Sequence, residues 1–322
     1  MANDLQCLAL RGRGSYLYLM DSTSLPQHVL DAFLDRHASS NGSARPLAVF
    51  DCDGTLIKGD IGESMFYRQI EHFAFRVSPA EVWPDHPQRT ELDRTFNILA
   101  ATPARARRTH AAFDLFSRLL VTRYFDQLAA GTIAKACTEI VQLFAGFTLE
   151  EVHAFAEATF AEELTMPLSQ TSLGGRSLPR GARFLRESAD LLHTLQEHGF
   201  DIFSVSGSSK WSVEPVLAHL DVPADRVIGI DLRLEDGILS AEPQRPVPIH
   251  GGKVEALRRF DHRPPVLVAS DSRHDIPLLL ASTDLRVYVN SHGRKTEDFF
   301  ALGKIDRDSS WVVFENPTVM PH

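Results

Sequence analysis

Two carboxylates stand two residues apart at the end of an apolar run: Leu47-Ala48-Val49-Phe50 leads into Asp51-Cys52-Asp53-Gly54-Thr55. Four apolar residues in succession fit a strand buried on both faces, as in a parallel sheet covered by helices. In open α/β sheets the reactive groups lie just beyond the carboxyl ends of strands. Two Asp side chains there can share Mg²⁺, which takes a few protein oxygens and keeps waters and substrate phosphate. Gly54 permits a tight turn at that edge. The same pair also suits simple turn chemistry. A calcium loop does not fit: an EF-hand needs Gly at its sixth position and Glu at its twelfth, and counting from Asp51 these hold Leu56 and Gly62.

Two further apolar runs end in reactive residues. Ile202-Phe203-Ser204-Val205 leads into Ser206-Gly207-Ser208-Ser209, and Val266-Leu267-Val268-Ala269 into Ser270-Asp271-Ser272-Arg273-His274-Asp275. Lys253, behind Gly251-Gly252, opens a helix between them. On a parallel sheet the three strand ends share one edge, so these groups can converge. The set suits phosphoryl transfer. Three of the carboxylates hold Mg²⁺, which neutralises charge on the transferring group. Ser206 and the Gly207 amide donate to phosphate oxygens at a helix N-terminus, and Lys253 adds positive charge. Asp51 attacks phosphorus and forms an aspartyl phosphate. Asp53 protonates the leaving oxygen and then activates water. Taken singly, Ser206-Gly207 is a turn with an N-cap, Lys253 a solvated helix-end lysine, and Asp271 and Asp275 turn and cap residues. The spaced order of all four motifs carries the joint reading. A serine-hydrolase elbow is excluded, because it needs Gly where Ser204 stands.

The surrounding pattern predicts the elements that hold these groups. Leu17-Tyr18-Leu19-Met20 reads as a short edge strand, and Gly12-x-Gly14 is too incomplete for a nucleotide loop. Ser24-Leu25-Pro26 starts a helix to about His37, and 41–43 is a linker. From about 62 to 164 nearly everything has helical period, with a break at Trp83-Pro84 and a capping box at Thr148 and Glu151. Such a block is too long for a crossover connection and reads as a domain of its own. The segment 170–179, rich in Gly and Ser, is the return linker. An amphipathic helix over 182–198, a helix over 211–220 with Pro215 near its start, a strand over 227–230 and a hairpin around Asp236-Gly237 follow. Strands over 285–289 and 311–314 complete the pattern. The fold class is thus α/β: a Rossmann-like, doubly wound parallel sheet with an inserted all-helical cap domain. The divisions are an N-terminal extension, 1–45, a catalytic core of 46–60 and 180–322, and a cap of 61–179.

At 322 residues the chain can carry a core and an insert. Its net charge of −9 argues against a nucleic-acid binder, while leaving room for a local basic pocket. Cys7, Cys52 and Cys137 have no paired spacing, which points to reduced thiols and a cytosolic setting. The start lacks a basic-then-apolar leader, and no apolar run reaches the ~18 residues of a membrane span. The expectation is a soluble cytoplasmic protein with no nucleic-acid or membrane partner; no sequence signal sets an oligomeric state.

This order of motifs resembles the haloacid dehalogenase-like superfamily over 46–60 and 180–290, together with the position of the helical insert. Asp51-x-Asp53-Gly54-Thr55 is similar to its first motif, Val205-Ser206-Gly207 to its second, Lys253 to its third, and Asp271 with Asp275 to its fourth. The insert resembles the cap of the phosphoserine-phosphatase-like branch, and Ser206-Gly207-Ser208-Ser209-x-Trp211 and Gly252-Lys253-Val254-Glu255-Ala256-Leu257 are similar to phosphocholine-phosphatase-like members. The resemblance implies Mg²⁺ held by Asp51, Asp271 and the Asp53 carbonyl, Asp51 as nucleophile, and phosphatase rather than dehalogenase chemistry, because Asp53 marks the phosphatases. Ser270 stands where the family has Gly, and His274 where the phosphoserine branch has Asn; His274 reads either as a phosphate-side contact or as a surface-loop residue, the second being preferred. In that branch an acid near the position of Asp60 meets the substrate amine, so Asp60 and Glu63 are candidate substrate contacts beside their plainer reading as a helix start. Phe66, Tyr67, Trp83 and Trp211 are candidates to line a pocket for a quaternary ammonium, or else cap core. Arg105, Arg107 and Arg108 are candidates to bind an anionic substrate, or else a solvated helix face, which is the preferred reading. The expected activity is Mg²⁺-dependent hydrolysis of a small phosphorylated metabolite. Phosphotransfer to an acceptor other than water and non-catalytic binding of phosphate esters are the alternatives.

Overall fold

The apolar run before Asp51 forms the strand Leu47–Phe50, with every side chain buried. Its alternation splits them between two cores: Ala48 and Phe50 pack on one face of the sheet, Leu47 and Val49 on the other. The computed structural model describes residues 18–21, 25–37, 44–305, 308 and 310–321. The expectations for Gly12, Gly14, Ser24 and 41–43 lie outside these.

Among the described residues the central sheet has seven strands, in the order Tyr18–Asp21, Trp311–Glu315, Leu285–Asn290, Leu267–Ser270, Leu47–Phe50, Asp201–Ser209, Val227–Ile230. Every pairing is parallel. The expected edge strand at 17–20 is Tyr18–Asp21. Helices Gln27–His37, Arg186–Glu197 and Lys210–Ala218 cover one face through Phe33, Leu192 and Val216. Gly251–Phe260, Ile276–Leu279 and Thr296–Gly303 cover the other through Leu257, Leu279 and Phe300. This is the doubly wound α/β architecture, and it sets the strand that carries Ser206 and the strands that lead into Asp51 and Asp271 side by side.

A two-stranded antiparallel neck, Ile57–Lys58 against Arg183–Phe184, leads into the helical block. Ile61–His72, Arg89–Ala101, Ala111–Ala129, Ile133–Gln142 and Leu149–Thr165 are its main helices, and they share a core of their own around Phe66, Phe116, Leu120 and Phe144. The capping box at Thr148 and Glu151 is present.

Three local expectations are corrected. The segment expected to link back pairs as a hairpin, Ser169–Leu173 with Arg176–Arg180, so the block does not end entirely in helix. The helix expected from 182 starts at Arg186, because Arg183–Phe184 is taken up by the neck, where Arg183 also donates to the Met166 carbonyl at 2.7 Å. The helix Lys210–Ala218 carries Pro215 in its interior rather than near its start.

Candidate active site

The strand Leu47–Phe50 is held to its neighbour up to its end, where the Asp51 N–H donates to the Ala269 carbonyl at 2.9 Å. The chain then turns through Gly54, whose φ of +74° disfavours any other residue. Close approach adds a second reason: a Cβ at Gly54 would lie 2.4 Å from Asp271 Oδ2. The Asp271 N–H donates to Thr55 Oγ1 at 2.9 Å, and that hydroxyl lies 3.4 Å from both Asp51 Oδ2 and Asp271 Oδ1. Lys253, buried at the start of Gly251–Phe260, donates to Asp51 Oδ1 at 2.8 Å and to Asp275 Oδ2 at 2.6 Å. Five residues drawn from two strand ends and a helix therefore meet at one point.

Ser270 has a clear function in this pit. Its hydroxyl donates to Asp275 Oδ2 at 2.7 Å and accepts the Ser272 N–H at 3.2 Å, so it fixes the carboxylate that faces Lys253.

Asp53 is arranged differently. Its Oδ1 accepts the Ile61 N–H at 2.7 Å, and its Oδ2 accepts the Ser208 hydroxyl at 2.6 Å. Ser208 approaches because residue 62 is glycine; a Cβ there would sit 2.4 Å from Ser208 Oγ. Ser206 lies at 3.5 Å from Asp53 Oδ2, and its Oγ accepts the Ser208 N–H at 3.0 Å. The strand runs on through Ser209, which caps the next helix. Ser206 and Gly207 are thus in extended chain on the cavity wall, not at a helix N-terminus as expected.

The charges are unevenly matched. Burial pushes the Asp51 carboxyl well above the usual range; Lys253 pulls it back, while Asp275 and Asp271 push the same way as burial. Burial also raises Asp53, against the hydrogen bonds from Ser208 and Ile61. For Lys253 burial opposes the charge, but Asp275 and Asp51 outweigh it and hold the ammonium above its ordinary range.

These groups floor a cavity of about 520 Å³ whose other wall is the helical block. Asp60 caps Ile61–His72 by accepting the Glu63 N–H at 2.8 Å. Glu63 accepts the phenols of Tyr67 at 2.5 Å and Tyr124 at 2.9 Å. Burial raises both acids, with Asp53 adding to it. Met65, Phe66, Ile140 and Phe144 make the apolar part of the wall. Of the aromatics singled out from the sequence, Phe66 reaches the cavity and Tyr67 acts through Glu63. Trp83 and Trp211 are core: Trp83 stacks on His86, and Trp211 packs edge-on against Phe144. Arg105, Arg107 and Arg108 are not on the cavity; Arg107 lies over the Phe73 ring and Arg108 faces Glu71.

With this geometry in view, the comparisons are informative. The model of the haloacid dehalogenase-like hydrolase family matches residues 48–280. The chain belongs to that family. A conserved protein of unknown function from Anaerococcus prevotii DSM 20548 is similar over 90% of this chain and 94% of its own, with a TM-score of 0.70 at 17% identity. A protein of unknown function from Bordetella pertussis Tohama I is similar over 85% and 100%, with a TM-score of 0.52 at 17% identity. A substrate-bound phosphoserine phosphatase aligns over 77% and 87%, at a TM-score of 0.39 and 12% identity. No curated protein matches the chain significantly.

As a haloacid dehalogenase-like hydrolase the chain would hold a cation, and its residues fit one in a restricted way. Among the described residues no group of three or more His, Cys, Asp or Glu side chains has metal-holding geometry. Of the carboxylates expected near the cation, Asp53 is engaged by Ser208 and Ile61, and Asp275 by Lys253 and Ser270. Asp51 and Asp271 remain, converging on Thr55 where Gly54 leaves room. Two hard oxygen donors with space for water and phosphate suit Mg²⁺ better than a closed site.

Sequence reasoning missed four residues of this region in the hydrolase. Ser208 holds Asp53, His292 lies 3.1 Å from Asp271 Oδ2, and Lys58 donates to the Ser291 carbonyl at 2.5 Å. His250 lines the cavity, as does His274, which was expected on an outer loop. Only Ser208 had a signal, in the Ser-Gly-Ser-Ser run; Lys58 reaches the cavity from the neck strand and the others from loops, none of them in a motif.

Proposed function

We propose that this hydrolase is a Mg²⁺-dependent phosphomonoester phosphatase acting on a small phosphorylated metabolite through phospho-Asp51. The observation that carries the reading is the buried Lys253 ammonium spanning Asp51 and Asp275, with Asp271 set beside Asp51 by the Thr55 hydroxyl, all opening onto one cavity. Mg²⁺ held by Asp51, Asp271 and the Asp53 carbonyl would neutralise charge on the phosphoryl group. Ser206 and the Gly207 N–H bind phosphoryl oxygens. An Asp51 oxygen forms a bond to phosphorus as the ester P–O bond breaks, and Asp53 gives its proton to the departing oxygen. Burial supports that role for Asp53, because it favours the protonated carboxyl. Asp53 then takes a proton from water, the water oxygen bonds to phosphorus, and Asp51 is released with inorganic phosphate.

In this reading 61–179 is a cap over a core of 46–60 and 180–322. Asp60, at the junction of core and cap, and Glu63, in the cap, face the leaving group. Among the described residues the cavity lining includes two lysines, Lys253 and Lys58, both already committed to protein oxygens, and no arginine. That balance favours a leaving group that is cationic or neutral over one carrying a second anion. The test is a screen of phosphorylated metabolites with Mg²⁺, scored by released phosphate, on the wild type and Asp51→Asn. Turnover in the wild type alone is expected; equal turnover in Asp51→Asn rejects Asp51 as nucleophile.

A further inference from the structure

Three imidazoles line the cavity; His292 lies 3.1 Å from Asp271 Oδ2, and the scheme above leaves the other two, His250 and His274, without a partner or a role. His250 stands three residues before Lys253 and His274 one before Asp275, so both flank the phosphoryl end of the cavity rather than the acidic cap wall. Their rings pack edge to face, 4.9 Å apart at 86°. Neither ring has a hydrogen-bond partner among the described residues. Burial holds His274 toward the neutral form, as do His250 and Arg273.

The backbone at His250 gives a second, independent indication. Its φ and ψ are +53° and −129°, a region that residues with a Cβ rarely enter. Two tight turns force it there: the Ile249 N–H donates to the Val247 carbonyl at 2.8 Å, and the Gly252 N–H to the Ile249 carbonyl at 3.0 Å. Glycine would occupy the position without strain, and glycine fills the next two positions. A strained histidine at a place suited to glycine is a reason to look for work done by its side chain. That work is available. A phosphoryl dianion offers three oxygens, while Lys253 is shared between two carboxylates and Lys58 is committed to a carbonyl.

We propose that His250 and His274 bind the phosphoryl group, each donating an imidazole N–H to one of its oxygens above Asp51. The proposal rests on the phosphatase reading and adds two binding residues to it. It gives His274 a reason to replace a residue with a single amide: its ring supports His250 as well as reaching the ligand.

The experiment uses inorganic phosphate as the probe, as an inhibitor of aryl phosphate hydrolysis with Mg²⁺ and as a stabiliser in thermal unfolding. The full chain is compared with His250→Gly, His250→Asn and His274→Ala. Loss of one charge-assisted hydrogen bond predicts a rise of about tenfold in the phosphate inhibition constant for His250→Gly and His274→Ala, with KM rising more than kcat falls. His250→Asn keeps an N–H donor and tolerates positive φ, so it is expected to retain most of the affinity. His250→Gly is expected to melt no lower than the wild type, because strain is relieved. A purely structural role gives the reverse: His250→Gly melts lower and phosphate inhibition stays within about twofold in both variants, which overturns the proposal. A wild type that phosphate neither inhibits nor stabilises overturns the phosphatase reading as well, an outcome visible before any variant is made.

Discussion

Two clusters of charge are buried in this protein, and they are built on opposite rules. Where the helical block rejoins the sheet, Arg180 is 3% exposed and Glu163 1%. Arg180 Nε meets Glu163 Oε1 at 2.6 Å and its Nη1 meets Glu71 Oε2 at 3.1 Å. The other Glu163 oxygen accepts the Gly181 N–H at 2.5 Å. Every oxygen of Glu163 is matched, and none of Arg180, Glu163 and Glu71 faces the large cavity. In the pit around Asp51, one ammonium faces Asp51 and Asp275, and Asp271 adds a third carboxylate. Among the described residues Asp51 Oδ2 has only the Thr55 hydroxyl, at 3.4 Å. Matched charge closes a junction; unmatched charge, open to a cavity, stores an affinity for a cation and the anion it brings. Breaking a buried pair is destabilising in either place, but only the pit should lose chemistry.

The predictions separate the two. Asp51→Asn should reduce turnover by roughly 10⁴-fold or more while thermal unfolding shows a folded chain. Chelation should abolish hydrolysis and added Mg²⁺ restore it. At a hundredfold excess over its Kd, Mg²⁺ should stabilise the wild type by about 2.7 kcal/mol, and Asp271→Asn should lose that shift in calorimetry. Arg180→Met should act the other way. It should destabilise by about 3–5 kcal/mol in denaturant titration, because Glu163 and Glu71 are left without their cation, yet kcat per folded molecule should hold. Smallest is Glu63→Gln on the cap wall. It should raise KM for amine-bearing phosphomonoesters by about tenfold and leave neutral aryl phosphates unchanged; equal effects on both would remove Glu63 from substrate selection.

The legible parts of the fold were those with local causes. The strand ends at Asp51, Ser206 and Asp271 could be read because a buried parallel strand is an apolar run and its end is marked by Gly, Ser and Asp. The capping box at Thr148 was readable for the same reason: its two hydrogen bonds join residues three apart. The return segment was not. Its Gly174-Gly175 turn reads equally as linker or hairpin, and pairing between Ser169–Leu173 and Arg176–Arg180 is what decides. Arg183–Phe184 runs straight into a helix in sequence, while its partner strand, Ile57–Lys58, lies far back in the chain. Trp83 and Trp211 were indistinguishable from cavity aromatics, since burial in the cap core depends on which helix faces inward. Among the described residues no helix is long and apolar enough to cross a membrane, in line with the composition.

The amino-acid sequence by itself determined which residue types stand at the carboxyl edge of the sheet and that they are acids, a hydroxyl and one lysine, because strand, turn and spacing are short-range properties. Tertiary structure alone decided which of those acids stay open to a cation. Both oxygens of Asp53 are claimed, by Ser208, 155 residues away, and by Ile61, and Asp275 is claimed by Lys253, 22 away, and Ser270, while Asp51 Oδ2 and Asp271 Oδ1 meet only the Thr55 hydroxyl among the described residues. The physical reason is that a buried carboxylate takes whichever donors packing brings within reach, and spacing along the chain does not carry that information.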